Sequence, residues 1–337
     1  MSEAAFDPTK TPVASGGSPV VLVSTPPKDR LLARLWRHRS GRVGLILLAL
    51  YVLLLVAGPF IVAGSPSSDV DYQNISNNLQ PSSSAHWLGT DEMGRDVAVR
   101  LIEGGRYTVL IGVMAVVCGV VIGVPLGAIS GFYRGWADVL IQRFIDIVLA
   151  FPHLLLALAI VSSLGPNLRN LIIAVALASF PRFVRLVRAS VLSVREQPYV
   201  EAALALGVSR WKVLWRHVLP NSFTPVIVQA PLEVGSAILS AAGLGFLGLG
   251  VQAPTPEWGT MLGDARDLIF TNSSLATYPG LLIVGAILAV NLVGDGLRDV
   301  LDPRLRNSAA RTSRARRAAR KAHAAAQAPT GSKGAAR

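Results

Sequence analysis

Residues able to do chemistry are sparse in this sequence, and they gather in two places. The first is HWLGTDEMGRD, which holds His86, Asp91 and Asp96. An imidazole and two carboxylates are metal-ligand types, but one histidine with mobile carboxylates lacks the spacing of a tight site. A structural turn outside the membrane is the expectation. The second is EQPYVEAALALGVSRWKVLWRHVLPN, residues 196–221. It carries no nucleophile paired with a base, and its residue types suit docking. Elsewhere His153 and Ser162 or Ser163 share a segment without forming a recognisable hydrolytic pair. A G-x-x-x-x-G-K-[ST] phosphate loop is absent, so any ATP must be handled by another polypeptide. No catalytic, cofactor-binding or metal residue is expected.

These segments sit in a chain of 337 residues that is 51% hydrophobic and only 15% charged. Its apolar residues come in blocks. A block of about 20 crosses the roughly 30 Å hydrocarbon core of a bilayer at about 1.5 Å per helical residue. Six spans are expected, at residues 43–62, 108–129, 144–164, 168–180, 225–249 and 279–293. Pro152 lies inside the third. The fourth continues past Pro181 as FVRLVRASVLSV, which reads as one long helix. The first apolar run begins near Val43, too far in for a cleaved signal peptide. The single cysteine, Cys118, sits in an apolar run as a packing residue.

The net charge of +12 is unevenly spread. Arginine and lysine cluster before the first span, between the fourth and fifth, and after the sixth. Acidic residues dominate the loop after the first span (Asp69, Asp71, Asp91, Glu92, Asp96, Glu103) and the loop after the fifth (Glu257, Asp264, Asp267). Lysine and arginine stay on the cytoplasmic side, so both termini are expected inside. The fold class expected is an all-α integral membrane protein with six transmembrane helices. Four regions follow: residues 1–27, a disordered cytoplasmic tail; 28–105, the first span and its extracytoplasmic loop; 106–303, the core; and 304–337, a basic disordered tail. That tail reads as an orienting cluster that touches anionic membrane lipid rather than nucleic acid.

Within residues 196–221, Pro198 suits the first turn of a helix. Gly207 suits its left-handed cap. Ser209 is placed to cap a second helix from Arg210 to about Val218, which Pro220 would end. Trp211 and Trp215, four apart, would share a face and act as rigid anchors. A DNA-binding helix pair held this near a bilayer could hardly reach a groove. Three further readings concern the spans. Asp295 has Arg298 three residues on as a helical partner. Pro152 and Pro181 are candidates to kink helices. The small residues of AAGLGFLGLG, 241–250, permit close helix packing.

Glu201-Ala202-Ala203, Gly207 and Leu219-Pro220 stand at the spacing of the EAA motif, and the chain resembles the permease subunits of ABC importers. His217 replaces an isoleucine frequent before Leu-Pro, and Arg-His there resembles the dipeptide and oligopeptide branch. His86, Leu88, Gly89, Thr90, Asp91, Gly94, Arg95 and Asp96 resemble the HxLGTDxxGRD signature of C-type permeases of peptide and nickel importers. DGLRDVLDPR, residues 295–304, resembles the end of the same subunits. The resemblance covers about residues 30–306. It implies a type I importer permease fold, a homologous second permease, two ATPase subunits that hold ATP and magnesium, and an extracytoplasmic solute-binding protein. It assigns ATPase coupling to Glu201, Ala202, Ala203, Leu206, Gly207, Leu219 and Pro220, by rigid-body alternating access. Dipeptides or oligopeptides are the implied substrates, with nickel chelates and glutathione carried by related permeases. An ion-coupled carrier working alone is the rival; it would need carboxylates at mid-membrane, where Glu233 is the main one and Asp146 another.

Overall fold

The computed structural model describes residues 29–62 and 73–301. The two expected tails, Asp69 and Asp71, and the last residues of DGLRDVLDPR lie outside these. Every described element is helical or turn, apart from one isolated bridge between Thr90 and Asp96.

The described residues open with a short helix, α1 (Asp29–Arg37), and then α2 (Arg39–Val62). There follow α3 (Val97–Tyr133), α4 (Gly135–Leu149), α5 (His153–Leu164) and α6 (Leu168–Arg195). Two short helices come next, α7 (Pro198–Ala205) and α8 (Arg210–Val213). A π turn, Leu214–Val218, joins α8 to α9 (Leu219–Ser222). Last are α10 (Thr224–Phe246), α11 (Trp258–Asp264) and α12 (Ser274–Leu301). Five of the described helices, α2, α3, α6, α10 and α12, are long and apolar enough to cross a membrane. The bent pair α4–α5 makes a sixth if counted as one span.

That pair covers the expected third span, broken at the candidate kink Pro152. The two helices meet at 87°. Pro152 has no N–H to donate and disfavours helical backbone at Phe151, so the helix breaks and restarts at His153. At 12 residues, α5 is about 18 Å long and cannot cross the core by itself. Pro181 has the opposite outcome: α6 runs through it unbroken to Arg195, as expected.

The bundle is organised around α3 against α6. Gly119, Gly123, Gly127 and Gly131 recur every fourth residue and line one face of α3. A Cβ at Gly123 would sit 2.7 Å from Phe183 Cβ, and one at Gly127 would sit 2.5 Å from the Val184 carbonyl oxygen. Only bare backbone permits this approach. In lipid, where apolar tails compete equally for side chains, close backbone packing is a main source of helix association. The opposite face of α3 exposes Leu110, Val113, Val117 and Val121. These are the side chains a lipid-facing surface requires.

The small residues 241–250 also pack closely. Gly259 lies so near α10 that a Cβ there would be 2.5 Å from Ala242 Cα, and one at Gly245 would be 2.7 Å from Glu257 Oε2. Asp295 and Arg298 do not form the expected ion pair among the described residues. Both are exposed, and the acid engaged at this end of α12 is Asp299, 3.4 Å from His38 Nδ1.

Candidate functional site

The two ends of the bundle differ. One carries the α7–α9 hairpin; the other carries the HWLGTDEMGRD turn and α11.

At the first end, Pro198 is the first residue of α7 and Glu201 lies in its first turn. Glu201, Ala202, Leu206 and Gly207 are exposed, and Ala203 is half-buried. Gly207 has φ +80°. The Val208 amide donates to the Ala203 carbonyl at 3.2 Å, and the Gly207 amide donates to Leu204 at 3.0 Å. This pair of hydrogen bonds is the Schellman cap, and it needs a residue that tolerates positive φ. Nothing lies within 4 Å of a Cβ built at Gly207, so conformation and not space selects glycine.

Ser209 takes the cap position of α8 through its backbone: Val213 N donates to the Ser209 carbonyl at 3.0 Å. The expected side-chain cap bond is not formed. Pro220 does not end the helix either. The π turn widens the backbone so that Leu219 N donates to the Leu214 carbonyl, five residues back. This makes room for the proline ring, and the helical path continues to Ser222. Asn221 Nδ2 donates to the His217 carbonyl at 2.6 Å and Ser222 Oγ to Val218 at 2.8 Å. Leu219 is half-buried and packs on the core; Pro220 is exposed.

The hairpin is rooted and capped by an apolar tip. Val200, Val213, Leu214 and Val218 are fully buried against the bundle. Beyond them, Leu206 is 84% exposed and Trp211 56%. Trp211 stacks edge-on with Trp215 at 5.3 Å, so the expected shared face is present. Trp215 Nε1 is buried with no acceptor among the described residues. Just before the hairpin the ends of two long helices are joined: Arg134, after α3, pairs with Glu196, after α6, and Arg195 donates to the Phe132 carbonyl.

At the second end, Asp96 Oδ1 accepts from Ala98 N and Val99 N, capping α3. His86 Nδ1 lies 2.9 Å from Asp96 Oδ2. Asp91 Oδ1 accepts from Met93 N and Arg95 N, while its Oδ2 meets Arg95 Nε at 2.7 Å and Arg100 Nε at 3.5 Å. Gly89 and Gly94 hold φ +80° and +69°, and a Cβ at Gly94 would collide with the Asn74 carbonyl. Thr90 Oγ1 accepts from Gln80 N at 2.8 Å. Leu88 packs against a cluster that includes Val97, Leu101 and Trp258. The turn thus spends its polar groups on its own shape and on starting α3.

Glu257, absent from the sequence-based site residues, is fully buried at this end. Its carboxylate accepts from Gly259 N, Thr260 N and Thr108 Oγ1, tying α11 to α3. Burial nevertheless raises its pKa above the ordinary carboxylate value, against those hydrogen bonds. Trp258 beside it donates Nε1 to the Leu101 carbonyl at 2.8 Å. Sequence offered no signal for it: Ser, Thr, Asp or Asn are the usual N-caps, and a glutamate in that position is not one. A cavity of about 450 Å³ opens here, lined among others by Asp91, Arg95, Arg100, Gln252 and Asp264. Asp264 is pushed above its ordinary value by burial, with Arg100 and Arg95 opposing.

Residues 123–307 match the family described as the binding-protein-dependent transport system inner membrane component. Residues 29–81 match the N-terminal transmembrane domain of oligopeptide transport permease C. The chain belongs to the binding-protein-dependent transport permeases, multi-pass proteins of the inner membrane. Within that family it is 44% identical to the dipeptide transport system permease protein DppC of Alkalihalophilus pseudofirmus, across 84% of this chain and 95% of that protein. It is 46% identical to the di/tripeptide transport system permease protein DppC of Pseudomonas aeruginosa, across 81% and 91%. It is 41% identical to the glutathione transport system permease protein GsiD of Pectobacterium atrosepticum, across 81% and 91%. In fold it is similar to a chain of the MetNI methionine ABC transporter in an inward-facing conformation. The TM-score is 0.50 at 19% identity, covering 60% of this chain and 97% of that one.

Proposed function

We propose that this chain is one of two pore-forming permeases of an ATP-driven importer for dipeptides or oligopeptides. The α7–α9 hairpin is its coupling element. It fits a cleft on a partner ATPase, and Glu201, Ala202, Ala203, Leu206, Gly207, Leu219 and Pro220 shape it. Both termini and the hairpin face the cytoplasm. The HWLGTDEMGRD turn faces outward, toward a solute-binding protein. ATP and magnesium belong to the ATPases; this chain contributes conformation, not covalent chemistry.

The observation that carries this reading is the hairpin's construction. Leu206 and Trp211 are exposed apolar residues beyond the ends of the long helices, on a base that is fully buried. A rigid apolar knob outside the bilayer is costly in water and favourable in a partner's cleft. Deleting the genes of the ATPase partners and measuring peptide uptake tests it. Uptake should stop; uptake that persists overturns the reading.

Glutathione is the second substrate reading, favoured by the 41% identity to a glutathione permease. An ion-coupled carrier is less well supported, because the buried Glu233 is engaged by Arg182 at 3.0 Å and is not an unpaired carboxylate. Uptake abolished by an ionophore while ATP stays high would favour that carrier.

A further inference from the structure

Arg182 lies 14 residues into α6, about 21 Å from its first turn, and Glu233 lies 13 residues before the end of the antiparallel α10, about 20 Å from the same end. Measured from that end, both fall within the roughly 30 Å depth of a hydrocarbon core, nearer its inner side, and Arg182 lies just beyond the expected end of the fourth span at residue 180. Arg182 Nη1 donates to both oxygens of Glu233, at 3.2 and 3.0 Å, and Gln229 Nε2 donates to Oε1 at 3.1 Å. The pair is lopsided. The Glu233 side chain is 4% exposed and the Arg182 side chain 45%. Nε and Nη2 of the guanidinium donate to no described residue. His153, at the restart of the broken span, is within electrostatic reach of both and 3.4 Å from Ser240 Oγ.

A half-exposed guanidinium at this depth cannot face lipid, since a charged side chain among acyl chains is strongly unfavourable. On α10 the exposed residues near Glu233 are mixed, Ser236 one turn on and Leu239 beyond it, whereas the outer face of α3 is aliphatic. Arginine's fork offers two parallel donors to a carboxylate. Glu233 satisfies one arm from behind and fixes the other toward the open side. A span broken at mid-membrane beside this group is a feature of transport sites.

Resting on the peptide-importer reading above, we propose that Arg182 is a way-station in the translocation path that binds the C-terminal carboxylate of the passing peptide. Glu233 is its positioning residue. The site takes peptides with a free carboxylate and disfavours their amides.

The test uses the complete transporter, with its second permease and ATPases. Without binding protein, millimolar dialanine should raise the melting temperature of the wild type and dialanine amide should not. In Arg182→Gln/Glu233→Gln, which keeps a neutral hydrogen-bonded pair, the dialanine shift should vanish. With binding protein in vesicles, ATP-driven uptake by that variant should fall about tenfold, and Arg182→Lys should fall less. Equal shifts with acid and amide, no shift with either in the wild type, or variant uptake within about twofold of wild type would overturn the proposal. Loss of the second permease from both variants would overturn it too, making Arg182 an assembly contact. Wild-type uptake that survives removal of the ATPases would instead defeat the importer reading.

Discussion

Arg188 holds Asp138 with two parallel hydrogen bonds, Nε to Oδ1 and Nη2 to Oδ2, both 2.7 Å. This clamp ties α4, the tilted half of the broken span, to α6. Ser130 Oγ on α3 joins it by donating to Oδ1. Three helices meet at one carboxylate. Asp138→Ala should therefore lower stability by about 1–3 kcal/mol, the scale of charge-assisted bonds. Asp146→Ala should change little: its pair with Arg185 is about half exposed on both sides. Melting temperatures in one detergent compare the two, and equal effects would contradict the clamp.

The α3–α6 contact predicts a split between glycines. Gly127→Ala puts a methyl against the Val184 carbonyl and should cost about 1–3 kcal/mol by overpacking. Gly280→Ala in α12 meets nothing within 4 Å and should be neutral or stabilising by up to about 1 kcal/mol. Thermal unfolding of the two variants decides it.

Glu257 predicts a pH slope. Burial favours its protonated form in the folded state, so the folded pKa lies above the ordinary 4.5. Its contribution is fully present below that ordinary value and is lost as pH rises through the raised one. Glu257→Gln should be less stable at low pH, because its amide faces backbone donors, yet should show a shallower fall on raising pH from about 4.5. Parallel curves for variant and wild type would contradict the burial argument.

Leu206 and Trp211 predict a loss of binding out of proportion to any loss of stability. Leu206 points into solvent in this chain, so Leu206→Ala should leave the melting temperature nearly unchanged, while Trp211→Ala should cost no more than the roughly 1 kcal/mol of its edge-on contact with Trp215. Each should weaken ATPase binding by about tenfold or more, as for a central anchor. Titration of purified ATPase onto the permease in nanodiscs measures it.

Much of this architecture was legible in residue types. Apolar blocks located the long helices because their length matches a bilayer. Gly207 and Pro198 located α7 because only a left-handed cap and a first turn suit those residues there. Pairings that depend on distant chain segments were not legible. Arg182 and Glu233 are 51 positions apart, and nothing local links them. Prolines were ambiguous in the same way. Pro152 breaks its span, Pro181 does not, and Pro220 is absorbed by a π turn. The glycine repeat from 119 to 131 was readable as a packing face but sits inside an apolar run that hides it.

Co-purification of partner ATPases with tagged wild type, Gly207→Ala and Gly207→Arg tests the docking claim most directly. Both variants carry the same positive-φ strain, about 1–2 kcal/mol, and the Cβ of each has open space around it. Only arginine adds bulk and charge at the tip. The second permease should come down with all three, and the ATPases with wild type and Gly207→Ala but not with Gly207→Arg. Recovery of the ATPases with Gly207→Arg at wild-type yield would contradict docking through this hairpin.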